Sequence, residues 1–208
     1  MCGVVNMFSI IRVIFFIIIF LIGIFILKKS SLIHKKKFRV VLIVICVILT
    51  TILSLFPIEN VFVTFSTPEA AFEYFHSCPA TLTVNGEKTD LVIGEKDSAY
   101  VYRIIPKSNK GWKIGNSFDT KMKFRKIVGE VAIYGHQYKN SEELYIEISH
   151  KYGKTLEIRD SKQSEFLCLT DKDVKSTSEY TYYAYIGDVD ENYYICIGDE
   201  KIYLFDKQ

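Results

Sequence analysis

The chain has 208 residues, 49% hydrophobic and 14% aromatic, with 26 Lys and Arg against 24 Asp and Glu. That length holds one or two ordinary domains, and abundant Ile, Phe and Tyr with only four prolines exclude a disordered chain. Charge is split unevenly. Residues 1–57 carry seven basic residues and no acid, which leaves 19 basic residues against all 24 acids after them, a net −5. A domain of that sign has no clustered cationic surface for phosphate, so no nucleic-acid partner is expected.

Two apolar runs come first. Phe8–Leu27 is 20 residues, broken by the single charge of Arg12, and Val40–Phe56 is 17 residues without a charge. About 17–25 apolar residues cross roughly 30 Å of hydrocarbon as a helix, so both runs are expected to span a membrane. Arg12 lies one turn inside the first run, where its stem is expected to snorkel to the interface. Pro57 stops the second helix. A signal peptide is disfavoured by the length of the first run and by Leu27-Lys28-Lys29, which is no small-residue cleavage site.

Between the runs lie Lys28, Lys29, Lys35, Lys36, Lys37 and Arg39, whereas Glu59, Glu69 and Glu73 follow the second run and the next lysine is Lys88. The positive-inside bias makes the 28–39 loop cytoplasmic and both termini extracytoplasmic. Residues 1–57 are therefore expected to be a two-pass anchor with the lipid bilayer as partner. Attraction of the loop to anionic headgroups would be incidental. Frequent Ile, Lys, Tyr and Phe, and seven Asn residues with no Asn-x-Ser/Thr site, point to a bacterial envelope.

The remainder is expected to be mainly β with one short helix, an α+β extracytoplasmic domain of antiparallel strands. Thr67-Pro68-Glu69 is a helix start, with Thr67 as N-cap, Pro68 at the first helical position and Glu69 on the dipole. Ala71, Phe72, Tyr74 and Phe75 supply the apolar stripe, and Cys78-Pro79 ends the helix. Thr81–Val84 then meets Asn85-Gly86, the signal of a type I′ hairpin, although Glu87-Lys88 can lengthen the loop. Thr89–Ile93 returns, Gly94–Asp97 turns, Ala99–Ile105 is a strand and Lys107–Gly111 a turn. Gly111–Ile114 carries the only tryptophan; alternation puts Trp112 and Ile114 inside and Lys113 in water.

Gly115-Asn116-Ser117 interrupts the pattern, which divides the domain into 58–118, a helix with antiparallel strands, and 119–208, an all-β stretch with the spacing of an immunoglobulin-like sandwich. A single continuous β domain fits nearly as well. Strands are expected at Met122–Val128, Val131–Tyr134, Leu144–Ile148, Thr155–Ile158, Phe166–Leu169, Tyr180–Ile186, Tyr193–Ile197 and Ile202–Phe205.

No family signature emerges. Cys2 has no lipobox, Cys46 is a packing residue of the second run, and Cys78, Cys168 and Cys196 are an odd set of thiols expected to be unpaired, although Cys168 and Cys196 lie in strands that could bond. His34, His76, His136 and His150 lack metal-ligand spacing and are expected at the surface or half-buried. There is no Gly-x-Ser-x-Gly elbow and no glycine-rich phosphate loop. Asp188-Val-Asp190-Glu-Asn192 has oxygen ligands at alternate positions, with Asp199 at the twelfth, but Tyr193 stands where a calcium loop needs glycine. It is expected to be an acidic turn between Tyr-rich strands, and the clustered tyrosines at 180–194 to pair across a hairpin rather than form a binding face. No catalytic, cofactor or metal residue is assigned. The expected role is a non-enzymatic binding or sensing domain in the envelope, with a protein or glycan ligand. The alternatives are an envelope hydrolase whose site forms only on folding, or a structural subunit of a membrane complex.

Overall fold

The computed structural model describes residues 7–29, 36–55, 57–97, 99–116, 118–139, 141–151, 155–170 and 179–205. Two long helices open the chain, α1 over Met7–Lys29 and α2 over Lys36–Leu55, and they pack where Gly23 leaves room for Leu42. Both extend into the expected basic loop: Lys28 and Lys29 close α1, while Lys36 and Lys37 open α2. Lysine is a good helix former, and cations in the last turn of α1 suit its dipole. Ser30–Lys35, at the centre of that loop, lies outside the described residues, as does Cys2. Among the described residues no helix is long and apolar enough to cross a membrane; the side chains at 7–9, 27, 36, 39, 50 and 53–55 lie outside that set.

Arg12 does not snorkel. Its guanidinium is buried against Glu59, with Nε 3.3 Å and Nη2 3.5 Å from the two carboxylate oxygens. Pro57 ends the helical hairpin and a 3-10 turn follows at once over Ile58–Val61, so Glu59 stands beside the first turns of α1. Desolvated charges of this kind persist only when paired.

The helix α3 spans Pro68–His76 as expected, with the Thr67 hydroxyl accepting from the Ala70 amide at 3.2 Å. It ends ahead of Cys78 because Ser77 takes the left-handed conformation (φ 56°) and its amide bonds the Glu73 carbonyl. Beneath it lies a four-stranded antiparallel sheet: β1 (Ala80–Asn85), β2 (Thr89–Lys96), β3 (Ala99–Ser108) and β4 (Gly111–Trp112), in that order. Ala71 and Phe72 of α3 pack on Val92 and Ile105.

Two turns differ from expectation. Asn85-Gly86 is no type I′ turn, since neither residue has positive φ; the loop runs to Thr89, whose carbonyl accepts from the Gly86 amide at 3.0 Å. Gly94 is a strand residue, and the chain reverses after Lys96 through Asp97 (φ 52°). Gly94 is needed because a Cβ there would stand 2.5 Å from the Pro79 carbonyl and 2.6 Å from the Phe72 ring. Trp112 is half-buried, its indole N–H donating to Asp90, and Lys113 does not face water: its Nζ donates to the carbonyls of Asn60 and Val63, both at 2.7 Å.

The strands after residue 119 form two further antiparallel sheets. One has the order β5-β6-β7-β10-β9, from Thr120–Val128, Val131–Tyr138, Leu144–Lys151, Glu179–Gly187 and Leu167–Thr170; the other has the order β12-β11-β8, from Glu200–Tyr203, Tyr194–Ile197 and Ile158–Asp160. Successive side chains point to opposite faces of a strand, and β7 and β10 use this on both sides. Ile146, Ile148, Tyr182 and Ala184 pack with Tyr193, Ile195, Ile202 and Leu204 of the last sheet. Tyr145 and Tyr183 pack with Val84, Leu91, Ile93 and Ile104 of the first. The five-stranded sheet is thus a middle layer between two others. The resemblance to a sandwich extends to antiparallel sheets packed face to face, and one core cluster crosses the 118/119 join.

The tyrosines do not share a hairpin, because β10 pairs with β7 and β9 whereas β11 pairs with β12 and β8. Tyr182, Tyr183 and Tyr193 are buried core residues, while Tyr185 pairs with Tyr145 and Tyr194 with Tyr203. Cys46, Cys78, Cys168 and Cys196 are all reduced thiols, the last two in different sheets.

Glu143 locks the first sheet to the second. Its buried carboxylate accepts from the Lys88 amide (2.6 Å), the Thr89 hydroxyl (2.9 Å) and the Tyr185 hydroxyl (3.1 Å), while the Tyr145 hydroxyl donates to the Thr89 carbonyl (2.7 Å). Burial pushes the Tyr145 hydroxyl far above its ordinary pKa. Removing an acceptor strands buried donors at about 1–3 kcal/mol each. Glu143→Ala should therefore lower stability by about 2–4 kcal/mol in denaturant titration. Ala at its exposed neighbour Glu142 should shift it by about 0.5 kcal/mol or less.

Candidate functional site

A cleft of about 600 Å³ opens between the last two sheets, within the usual range for ligand pockets of about 300–1,000 Å³. One wall is the segment Asp188–Glu191, between β10 and β11. The other is Lys123 of β5, Gln137 of β6 and Glu142, and the floor is Leu144 with Leu204 and Phe205 after β12.

The acidic wall is held rigidly. β10 shifts register between Tyr185 and Gly187, and Gly187 adopts φ 71°, which turns the chain out of the sheet. Lys162 reaches over from the β8 side and donates through Nζ to the carbonyls of Ile186 and Asp188. The Asp190 carboxylate accepts from the Asn192 amide at 2.8 Å, an Asx turn that returns the chain to β11. Tyr193, fully buried, then anchors the return by donating to Asp160 at 2.8 Å, and burial with that carboxylate raises its pKa strongly. The floor is equally fixed: Leu144 and Leu204 are buried, and Phe205 packs edge-on to Phe124 at 5.5 Å.

Four acidic residues, Glu142, Asp188, Asp190 and Glu191, and one basic residue, Lys123, thus line the cleft around an apolar floor. Such a cleft suits a ligand with positive charge beside an apolar group. Its residues come from five places in the chain. Only Asp188 and Asp190 stand out in the sequence; Glu142 and Lys123 carry no local signal. The Asp188 segment is a crossover between sheets rather than a hairpin turn, and Asp199 lies in the β11–β12 turn, away from the cleft. Among the described residues no group of His, Cys, Asp and Glu could hold a metal ion.

The histidines are scattered. His34 lies outside the described residues. His136 is buried rather than at the surface, with Nε2 2.9 Å from Glu147 and the Tyr102 ring 4.7 Å away. His150 is half-buried on β7, between Val131 and Tyr180. His76 ends α3, where its Nε2 accepts from Arg103 Nε at 3.3 Å. None of them lines the cleft. No protein-family model, curated protein or solved structure matches the chain.

Burial, and then the neighbouring charges of Arg103 and Lys96, lower the His76 pKa from 6.5 to about 4. The unfolded chain therefore binds the His76 proton more readily than the folded one, so stability rises with pH across that window and is lost as pH falls from about 6.5 toward 4. In unfolding titrations at pH 7, 6, 5 and 4, His76→Gln should flatten this part of the profile, and an unchanged slope would assign the loss to other groups.

Proposed function

We propose that the protein is a membrane-anchored binding protein of the cell envelope, whose helical hairpin holds a β-rich domain at the outer face of the bilayer. The observation that carries this reading is the hairpin. α1 and α2 have 23 and 20 residues, about 34 and 30 Å at roughly 1.5 Å per residue. Along their described lengths they expose Val13, Ile14, Ile17, Leu21, Phe25, Val40, Val44, Val47 and Ile48. Soluble monomers rarely expose contiguous apolar patches beyond a few hundred Å², whereas hydrocarbon accepts them. The lysines at the α1–α2 connection and the acids after Pro57 support a cytoplasmic loop and an external domain.

The cleft supports binding as the domain's role. Its acidic wall and apolar floor favour a basic peptide segment of an envelope protein, or an amino-bearing glycan, over an anionic ligand.

In a cysteine-free background on intact cells, an impermeant thiol reagent should label a cysteine at Lys110 and spare one at Lys37. The reverse pattern would overturn the orientation and the envelope role. For the cleft, the probe is the fluorescently labelled tripeptide amide Lys-Phe-Lys at low ionic strength. Asp188→Asn combined with Glu191→Gln, both exposed and shape-conserving, should weaken it about tenfold, a loss of about 1.4 kcal/mol. Equal affinity for parent and variant would remove the cleft from the proposal.

A further inference from the structure

We infer that the 3-10 turn after the second helix carries a membrane-inserting wedge, Val61 and Phe62, that enters the outer boundary between headgroups and acyl chains. The inference rests on the hairpin being a membrane anchor. Val61 and Phe62 are 77% and 83% exposed, the most exposed large apolar side chains among the described residues. Elsewhere the domain places most of its aromatics in its cores or in ring pairs; at 61–62 two apolar side chains stand next to each other in the open.

Their place in the chain says what covers them. They lie a few residues beyond the end of α2, and the amides of Phe62 and Val63 both donate to the Glu59 carbonyl, at 2.9 and 2.7 Å. The Glu59 side chain holds Arg12 in the first turns of α1. Phe62 is therefore one turn from the residue that ties the domain to the outer ends of both apolar helices, at the level where hydrocarbon gives way to headgroups.

The turn is also rigid. Asn60 pairs with Ile114 in both directions, its side-chain amide donating to the carbonyl and its side-chain oxygen accepting from the Ile114 amide, each at 2.8 Å. Lys113 clamps the carbonyls of Asn60 and Val63. A preorganised apolar tip loses little freedom on insertion. Side chains of this kind sit about 5–10 Å into the boundary.

The test uses the full chain in phosphatidylcholine nanodiscs, with and without lipid brominated near the headgroup end of the acyl chain. Three single variants carry the reporters, each read after subtracting the parent's Trp112 emission. Phe62→Trp reports on the wedge, Phe25→Trp within α1 on the anchor, and Ile127→Trp on exposed β5 on solvent. The added emission of Phe62→Trp should shift to the blue and lose about half its intensity to brominated lipid, as expected for a shallow interfacial depth, while that of Ile127→Trp is unaffected. Quenching in Phe25→Trp but not in Phe62→Trp would overturn the wedge and leave the anchor standing, and would turn the exposed tip toward a protein partner. Quenching in neither would overturn the anchor as well.

Discussion

The buried carboxylate of Glu143 holds the layers of this domain in their mutual positions. Its oxygens accept from a backbone amide and a hydroxyl of the first sheet and from a hydroxyl of the second, so a single side chain joins the two layers. Beside it Asp90, wholly buried, accepts from Lys107 at 3.0 Å, from the Gly86 amide at 3.1 Å and from the Trp112 indole. Buried charge is tolerable only where donors replace water. Here the segment 86–89 supplies three of them, the Gly86 and Lys88 amides and the Thr89 hydroxyl, which also explains its departure from a tight turn. Gly86 has no space for a side chain, because a Cβ would collide with the Tyr145 hydroxyl. The layers then fill with Leu91, Ile93, Ile104 and Tyr183, an apolar contact with no register of its own that the polar knot holds in place.

That knot links the cleft to the rest of the domain. Glu142 faces outward into it, Glu143 inward to the first sheet, and Leu144 forms part of the floor. Glu142 and Glu143 lead directly into β7, which opens at Leu144, so the residue that secures the layers also fixes the entry of that strand beside the cleft. The layers stack in the order α3, first sheet, middle sheet and last sheet, although the chain interleaves the final two, since β8 precedes β9 and β10. The hairpin reaches the domain through Arg12 and Glu59 and through α3, while the cleft opens between the two layers at the far end of that series.

Much of the local structure is legible in the sequence. The Thr67-Pro68-Glu69 cap forms as its chemistry requires, since capping depends only on neighbours within one turn. Strand segments at Ala99–Ile105, Met122–Val128, Val131–Tyr134 and Leu144–Ile148 follow from alternation and propensity, which act residue by residue, whereas the structure extends each of them, the first through Lys107 and Ser108 where a turn is expected. The tyrosine cluster shows where that logic stops. Tyr182 and Tyr183 are adjacent, yet they belong to different cores, because the middle sheet is buried on both faces. Nothing within β10 says which strands will flank it, so Tyr193 could not be separated from Tyr185 by pattern alone. Lys113 shows the same limit: alternation sends it to water, but the carbonyls of Asn60 and Val63 wait some fifty residues upstream in the chain.

Two apolar helical segments, the sign of charge on each side of Pro57, one capped helix and a β-rich remainder all follow from the residues in their order, because each depends on short-range chemistry or on composition. Tertiary packing was needed to turn Arg12 to Glu59, to bury Glu143 while leaving Glu142 exposed, to gather Asp188 and Asp190 into a cleft with Lys123, and to leave Val61 and Phe62 uncovered. Each of those outcomes depends on residues distant in the chain, and their energies come from desolvation and packing that exist only once the layers have closed.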